Sequence, residues 1–287
     1  MLKLGKKSLL SHFSQRVPSL DGGIVSDTPS NALNPSQSPD YTNFRIYRGR
    51  LQKRDGFSRI GQAGLRAVMY TGIFYRRNAV TQNVIITDRK LHRDDGTDWI
   101  EVGGTDLTGD ESNLFSVATA QDKLCFTNGV DTIRTWTGAS GDSQVGEAGT
   151  SAPGTARYLI SFANRLVTLR TTEGGAVYKQ RGRWTIDGPA LTNNNADWAN
   201  TGSGSADMFD SEDDIQNGML SQDTLVVYRE RSIYHWNRTG RATAPFAISL
   251  HDSKEGLLAP FTLVDLGGIH FFMGNRNIYL YDRANRK

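Results

Sequence analysis

The sequence predicts an all-β fold, a β-propeller-like array of about five antiparallel hairpin or blade units with an extended N-terminal arm. Three observations carry the prediction. One phrase recurs five times: a turn residue, a β-branched or aromatic strand, a tight turn, and a second strand ending in an aromatic or aliphatic residue. The 30 glycines sit mostly in turn contexts such as Asp21-Gly22-Gly23, Asn128-Gly129 and Gly267-Gly268, as a chain of many short strands requires. No helix-length window keeps apolar residues at helical spacing free of glycine or alternation.

Residues 1–43 read as the arm. Val17 to Pro39 holds four of the eight prolines among Ser, Asn and Asp, which disfavours regular structure, and Ser38-Pro39-Asp40 can cap a short helical turn. Phe44 to Phe57 then begins a strand-rich segment with a bend at Gly49. Strict alternation puts Arg48, Arg50, Gln52 and Arg54 on one face, opposite Tyr47, Leu51 and Lys53.

The propeller-like domain is expected over residues 44–287. Its repeats open at Asn83, Asp122, Asn164, Asp223 and Gly268, with spacings of 39, 42, 59 and 45. The 222 residues from Arg66 onward, shared among five repeats, give about 44 each, the length at which one four-stranded sheet must stack on neighbours to bury its faces. The long interval maps to a loop insertion at about 181–214 that carries Trp184 and Trp198. Only 27 residues follow Pro260, enough for about three strands. Closing a ring therefore calls for a strand from elsewhere, and the segment from Phe44 to Ile60 is the expected donor. The recurrent aromatics Trp136, Tyr178, Trp236 and Tyr281 are assigned to packing between blades rather than to sugar stacking.

At 37% hydrophobic the chain can build a sizeable core, and a net charge of +3 argues against a dedicated nucleic-acid binder. The single cysteine, Cys125, lies in an apolar strand, so no intrachain disulfide is expected. The basic opening has too short an apolar run for a signal peptide and nothing reads as a membrane span, so synthesis in a reducing cytoplasm is expected. Asn237-Arg-Thr matches a glycosylation sequon, which carries little weight without a secretory signal.

Candidate chemistry is sparse. Arg45, Arg48, Arg50, Lys53, Arg54 and Arg59 interleave with Phe44, Tyr47 and Phe57. That pattern suits phosphate contact, or more simply pairing with acids of a neighbour. Asp207, Asp210, Glu212, Asp213 and Asp214 form an acidic run without the alternating ligand spacing of a calcium loop, and Asp94, Asp95 and Asp98 fail the same test. His12, His92, His235, His251 and His270 show no zinc spacing, and His235 and His270 read as packed or surface strand residues. No nucleophile elbow, phosphate-binding glycine loop or metalloprotease motif occurs. No catalytic, cofactor-binding or metal residue is therefore expected, and the chain is expected not to be an enzyme.

The stretch Asp40-Tyr-Thr-Asn-Phe-Arg-Ile-Tyr-Arg-Gly-Arg-Leu-Gln-Lys-Arg-Asp-Gly-Phe57 resembles the start of β-propeller tail nozzle or tail tube proteins of short-tailed bacteriophages. Asp214 to Trp236, and Gly256-Leu-Leu-Ala-Pro-Phe with the final hairpin, are similar to later stretches of that family. The resemblance touches about half of the chain. It implies a non-enzymatic virion subunit that forms a homohexameric ring around the DNA exit channel. It implies as partners other tail and head-to-tail adaptor proteins and non-specifically contacted genomic DNA, with no membrane. The alternatives are a carbohydrate-binding or glycoside-hydrolysing propeller, and a head-to-tail connector or completion protein. Mixed charge suits heterologous contacts between copies, with Arg48 or Arg54 expected near Asp210 to Asp214 of an adjacent subunit.

Overall fold

The computed structural model describes residues 22, 24–34, 36–40, 44–47, 50–54, 65–78, 80–139, 146–147, 151–188 and 196–283. The chain divides into two compact units, Met1–Arg59 and Ile60–Lys287. In the first, strands β1 (Phe44–Tyr47) and β2 (Arg50–Lys53) pair antiparallel with each other. The described part of the segment expected to donate a strand to the last blade thus forms a hairpin of its own, and it groups with the arm rather than with residues 60–287. Pairing also corrects the expected faces. The chain folds back, so Arg45 and Gln52 are register partners and Tyr47 shares their face; the Arg45 guanidinium lies 5.8 Å from the Tyr47 ring. Arg48, Gly49 and Arg59 lie outside the described residues. The helical turn of this unit is Ser30–Ala32. Ser38 instead bridges Ile24, and its hydroxyl donates to the Asp40 carbonyl at 2.7 Å.

In the second unit five antiparallel sheets follow one another. The first holds β3 (Val68–Tyr75), β4 (Thr81–Thr87), β5 (Leu91–Asp94) and β6 (Trp99–Val102). The second holds β7 (Ser116–Ala120), β8 (Lys123–Thr127), β9 (Arg134–Trp136) and β10 (Gly146–Glu147). The third holds β11 (Thr155–Phe162), β12 (Arg165–Glu173), β13 (Ala176–Trp184) and β14 (Gly204–Asp207). The fourth holds β15 (Ile215–Ser221), β16 (Thr224–Arg229), β17 (Ile233–Arg238) and β18 (Phe246–Asp252). The fifth holds three strands, β19 (Val264–Asp265), β20 (Ile269–Met273) and β21 (Ile278–Asp282). Each sheet is a simple meander, the strand order a propeller blade requires.

Tight turns fix the frame. Gln121-Asp122 (φ 50° and 64°), Ala163-Asn164 (51° and 58°) and Gly267-Gly268 (77° and 96°) take positive φ at both central positions, the hairpin turn whose twist matches the flanking strands. At Gln222-Asp223 only Gln222 does so (φ 55°). The repeat expected to open at Asn83 is out of frame: Asn83 lies inside β4, and the turn spans Arg76 to Val80, where the Arg76 N–H donates to the Val80 carbonyl at 3.1 Å. The insertion is narrower than 181–214, because Arg181–Trp184 complete β13 and Gly204–Asp207 form β14. Between those strands runs a connection with the short helix Ala196–Ala199.

Period-two alternation in the second strand of each sheet sends successive side chains to opposite neighbours. Val84 and Ile86 face the second sheet and join Leu124, Phe126 and Trp136. Cys125, one residue on from Leu124, points the other way and packs with Ala156, Leu159 and Leu166. Val167 and Leu169 meet Leu225, Val227 and Trp236, while Val226 and Tyr228 meet Phe272 and Tyr281. Four apolar clusters thus join five consecutive sheets. Among the described residues no cluster joins the fifth sheet to the first. Of the four aromatics assigned to blade packing, Trp136, Trp236 and Tyr281 are buried. Tyr178 is half-buried beneath the Arg181 guanidinium, 3.6 Å from its ring centroid, and Trp184 takes the core position in its sheet.

Candidate functional site

The fifth sheet has two unlike faces. His270, Phe272 and Tyr281 are buried against the fourth sheet. Their strand neighbours point outward, and Val264, Leu266, Phe271, Met273, Ile278 and Leu280 are between 37% and 68% exposed. A contiguous apolar patch of that size exceeds the scatter of single exposed apolar residues normal for a monomer surface.

Beside β21 lies a cleft of about 820 Å³. Ile233 and Phe272 lie at its base; Leu250, His251 and Asp252 of β18 form one wall and β21 the other. The acids Asp252, Glu255 and Asp282 line it. Among the described residues the one lining lysine or arginine is Arg283, 2.7 Å from Asp223, which lies outside the cleft. A hydrogen bond with Glu255, together with burial, raises the Tyr279 pKa.

His251 and Tyr281 of the lining belong to an aromatic stack with His235. The His235 and His251 rings lie 4.1 Å apart and nearly parallel, and His235 Nε2 is 2.6 Å from the Tyr281 hydroxyl. Behind it, His270 Nε2 lies 2.9 Å from the Leu220 carbonyl, an acceptor, so this nitrogen carries a proton and donates. His270 Nδ1 then accepts from the Tyr228 hydroxyl at 2.8 Å. Burial lowers the His270 pKa against the raising effect of the Leu220 carbonyl, and burial raises that of Tyr228. His270 is therefore a packed, neutral histidine. The His235–His251 pairing has no spacing signature in the sequence; only register brings the two strands side by side.

The acidic run is engaged within the chain. Asp207 binds Arg181 at 2.7 Å, and Asp214 meets Arg170 and Lys179, each at 3.3 Å. Asp213 accepts from Ser232 and the Arg231 N–H, and its carboxylate is 3.0 Å from the fully buried Arg229. Burial opposes the Asp213 charge, yet Ser211, Arg231, Ser232 and Arg229 together hold its pKa below the ordinary carboxylate value. Asp210 accepts from the Tyr234 hydroxyl at 2.9 Å. These contacts make the run a structural clamp around the start of β15. Asp94, Asp95 and Asp98 shape the β5–β6 turn, where Asp94 and Asp95 accept backbone N–H groups. Among the described residues no group of three or more His, Cys, Asp or Glu side chains could hold a metal ion. Buried Cys125 has its thiol pushed up to about 12 by desolvation, which makes it unreactive.

Fold and strand order define the class: an all-β, propeller-like repeat protein. No family model matches the sequence, and no curated protein matches it. Similar solved structures include the extracellular domain of a one-component system from B. thetaiotaomicron, 11% identical with a TM-score of 0.48, where the match covers 84% of this chain and 31% of that one. YCF48 bound to D1 peptide is 9% identical with a TM-score of 0.46, covering 72% and 62%. The extracellular domain of a hybrid two-component system from B. thetaiotaomicron is 10% identical with a TM-score of 0.46, covering 77% and 29%. This chain spans less than two thirds of the length of each.

Proposed function

We propose that this chain is a non-enzymatic virion structural protein, a ring-forming subunit of a phage tail nozzle or tail tube around the DNA exit channel. The observation that carries the reading is the outward face of the fifth sheet. Every sheet-to-sheet junction inside the chain buries apolar side chains of this kind, whereas Phe271, Met273, Ile278 and Leu280 are left in solvent. A subunit destined for a larger body has use for such a face, and a heterologous contact made in the same sense by each copy generates a ring. The likeness of Asp40 to Phe57 to the start of tail nozzle proteins supports the same reading. Under it the partners are further copies in a homohexameric ring, other tail and head-to-tail adaptor proteins, and passing genomic DNA. Negative-stain imaging of the purified chain tests the reading: sixfold rings are expected, and isolated particles at all concentrations would count against it.

A second reading, a carbohydrate-binding or glycoside-hydrolysing propeller, draws on the cleft where Asp252, Glu255 and Asp282 stand near Tyr279 and Tyr281. It requires the monomer to bind or cleave glycans. A glycan array and a hydrolysis assay on the monomer decide it, with loss of the signal in Glu255→Gln as the matching control.

A further inference from the structure

Away from the fifth sheet's outer face, a cavity of about 430 Å³ is bounded by the third sheet, by Asn128 after β8, by Gln216 of β15 and by Pro260. Among the described residues its lining holds Arg157 and Arg170 and no aspartate or glutamate. We propose that this cavity is an anion site that takes a phosphate group between the two guanidiniums, with the Thr155 and Thr172 hydroxyls as further donors.

Register sets the two arginines against each other. Between β11 and β12, Thr155 pairs with Thr172, Ala156 with Thr171 and Tyr158 with Leu169, so Arg157 and Arg170 fall opposite one another between the last two pairs. Like charges directly opposite repel. The backbone leaves regular strand geometry at the same point. A bulge between Leu169 and Thr171 holds Arg170 at φ 55°, a left-handed conformation that is costly for a residue with a side chain and that serves here to re-aim one. Burial raises the Tyr158 pKa while the charges of both arginines oppose it, so the two charges act at one place.

The counter-charge is incomplete. Arg157 donates through Nη1 to the carbonyls of Leu114 and Asn128 at 3.1 and 2.6 Å, and through Nη2 to that of Ser112 at 2.9 Å. It meets no carboxylate among the described residues, and its Nε–H and one Nη2–H are unused. Asp214, the carboxylate beside Arg170, is shared with Lys179 at the same 3.3 Å. Asp110 accepts from the Ser112 and Asn113 N–H groups, and Glu230 from the Gln216 amide. Arg157, Arg170 and Lys179 thus share Asp214 alone, and the remaining positive charge suits a phosphate dianion, whose several oxygens also match donors on four side chains.

The site lies within one chain, so it stands apart from the ring-subunit reading and is tested on the purified full-length protein. Calorimetric titration with inorganic phosphate at about pH 8, where the phosphate is doubly charged, with chloride balancing the ionic strength, is expected to show saturable binding. Arg170→Gly removes the guanidinium at a φ that suits glycine, so the fold is kept. Its phosphate affinity is expected to fall about tenfold or more. Urea midpoints separate site from stability: added phosphate is expected to raise the parent's midpoint and to leave that of Arg170→Gly unmoved. No saturable heat beyond that of chloride overturns the proposal, and so does Arg170→Gly binding phosphate as the parent does. A short oligothymidylate that displaces phosphate from the parent assigns the group to a nucleic-acid phosphodiester; one that leaves phosphate bound assigns it to free phosphate or a monoester.

Discussion

Gly182 shows how tightly single positions are set. It lies in β13, and a Cβ built there would run into the ring of Trp236, which is fully buried and has no room to retreat. Gly182→Ala should cost about 1–3 kcal/mol, the usual penalty of overpacking a core, read as a lower urea midpoint at unchanged slope. Charge is as constrained as volume at Arg229 and Asp213. The folded Asp213 pKa is depressed, so its stabilising contribution is complete above the unfolded value near 4 and is lost as pH falls through the folded value. His270 acts in a different window. Its folded pKa is lowered, so the unfolded chain binds the proton first, and stability falls as pH drops below about 6.5. Urea midpoints taken from pH 8 down to about pH 3 should decline in two steps. Asp213→Asn should shrink the lower step and leave the upper one.

At the scale of elements, alternation was legible and register was not. The second strands of the sheets read directly from Lys123-Leu-Cys-Phe-Thr and Thr224-Leu-Val-Val-Tyr, because a strand buried on both faces is written as a continuous apolar run. The hairpin turns were legible where Asn, Asp or Gly mark positive φ. The first repeat was misframed because Asn83 imitates a turn residue, while the real turn at Arg76 to Val80 carries no glycine. Counting three strands after Pro260 matched the fifth sheet; within the donor segment expected from Phe44 to Ile60, Phe44–Tyr47 and Arg50–Lys53 pair with each other, as local hairpin pairing favours, and residues 55–60 lie outside the described residues. Of the candidate site, β21 was legible but the cleft was not, because its walls come from strands of different sheets. Tyr178 and Trp184 separate motif from environment. Trp184→Ala should cost about 3–5 kcal/mol for a buried indole packed on Trp236 and Phe246. Tyr178→Ala should cost less, under about 2 kcal/mol, because the half-buried ring loses its contact with the Arg181 guanidinium rather than a place in the core. Paired chemical denaturation of the two variants checks the contrast.

For the whole molecule, the governing feature is that stacking of sheet on sheet stops with an apolar face uncovered. Leu280→Glu places a carboxylate on that face without touching any of the four internal clusters. It should leave the denaturation midpoint within about 0.5 kcal/mol of the parent while abolishing higher-order species in sedimentation velocity. A subunit whose assembly uses another surface would sediment unchanged. The most direct measurement is a single-particle reconstruction of the assembled protein. The account predicts a ring in which Phe271, Met273, Ile278 and Leu280 of each copy are covered by its neighbour. An assembly that leaves this face in solvent, or a protein that never assembles, would contradict it.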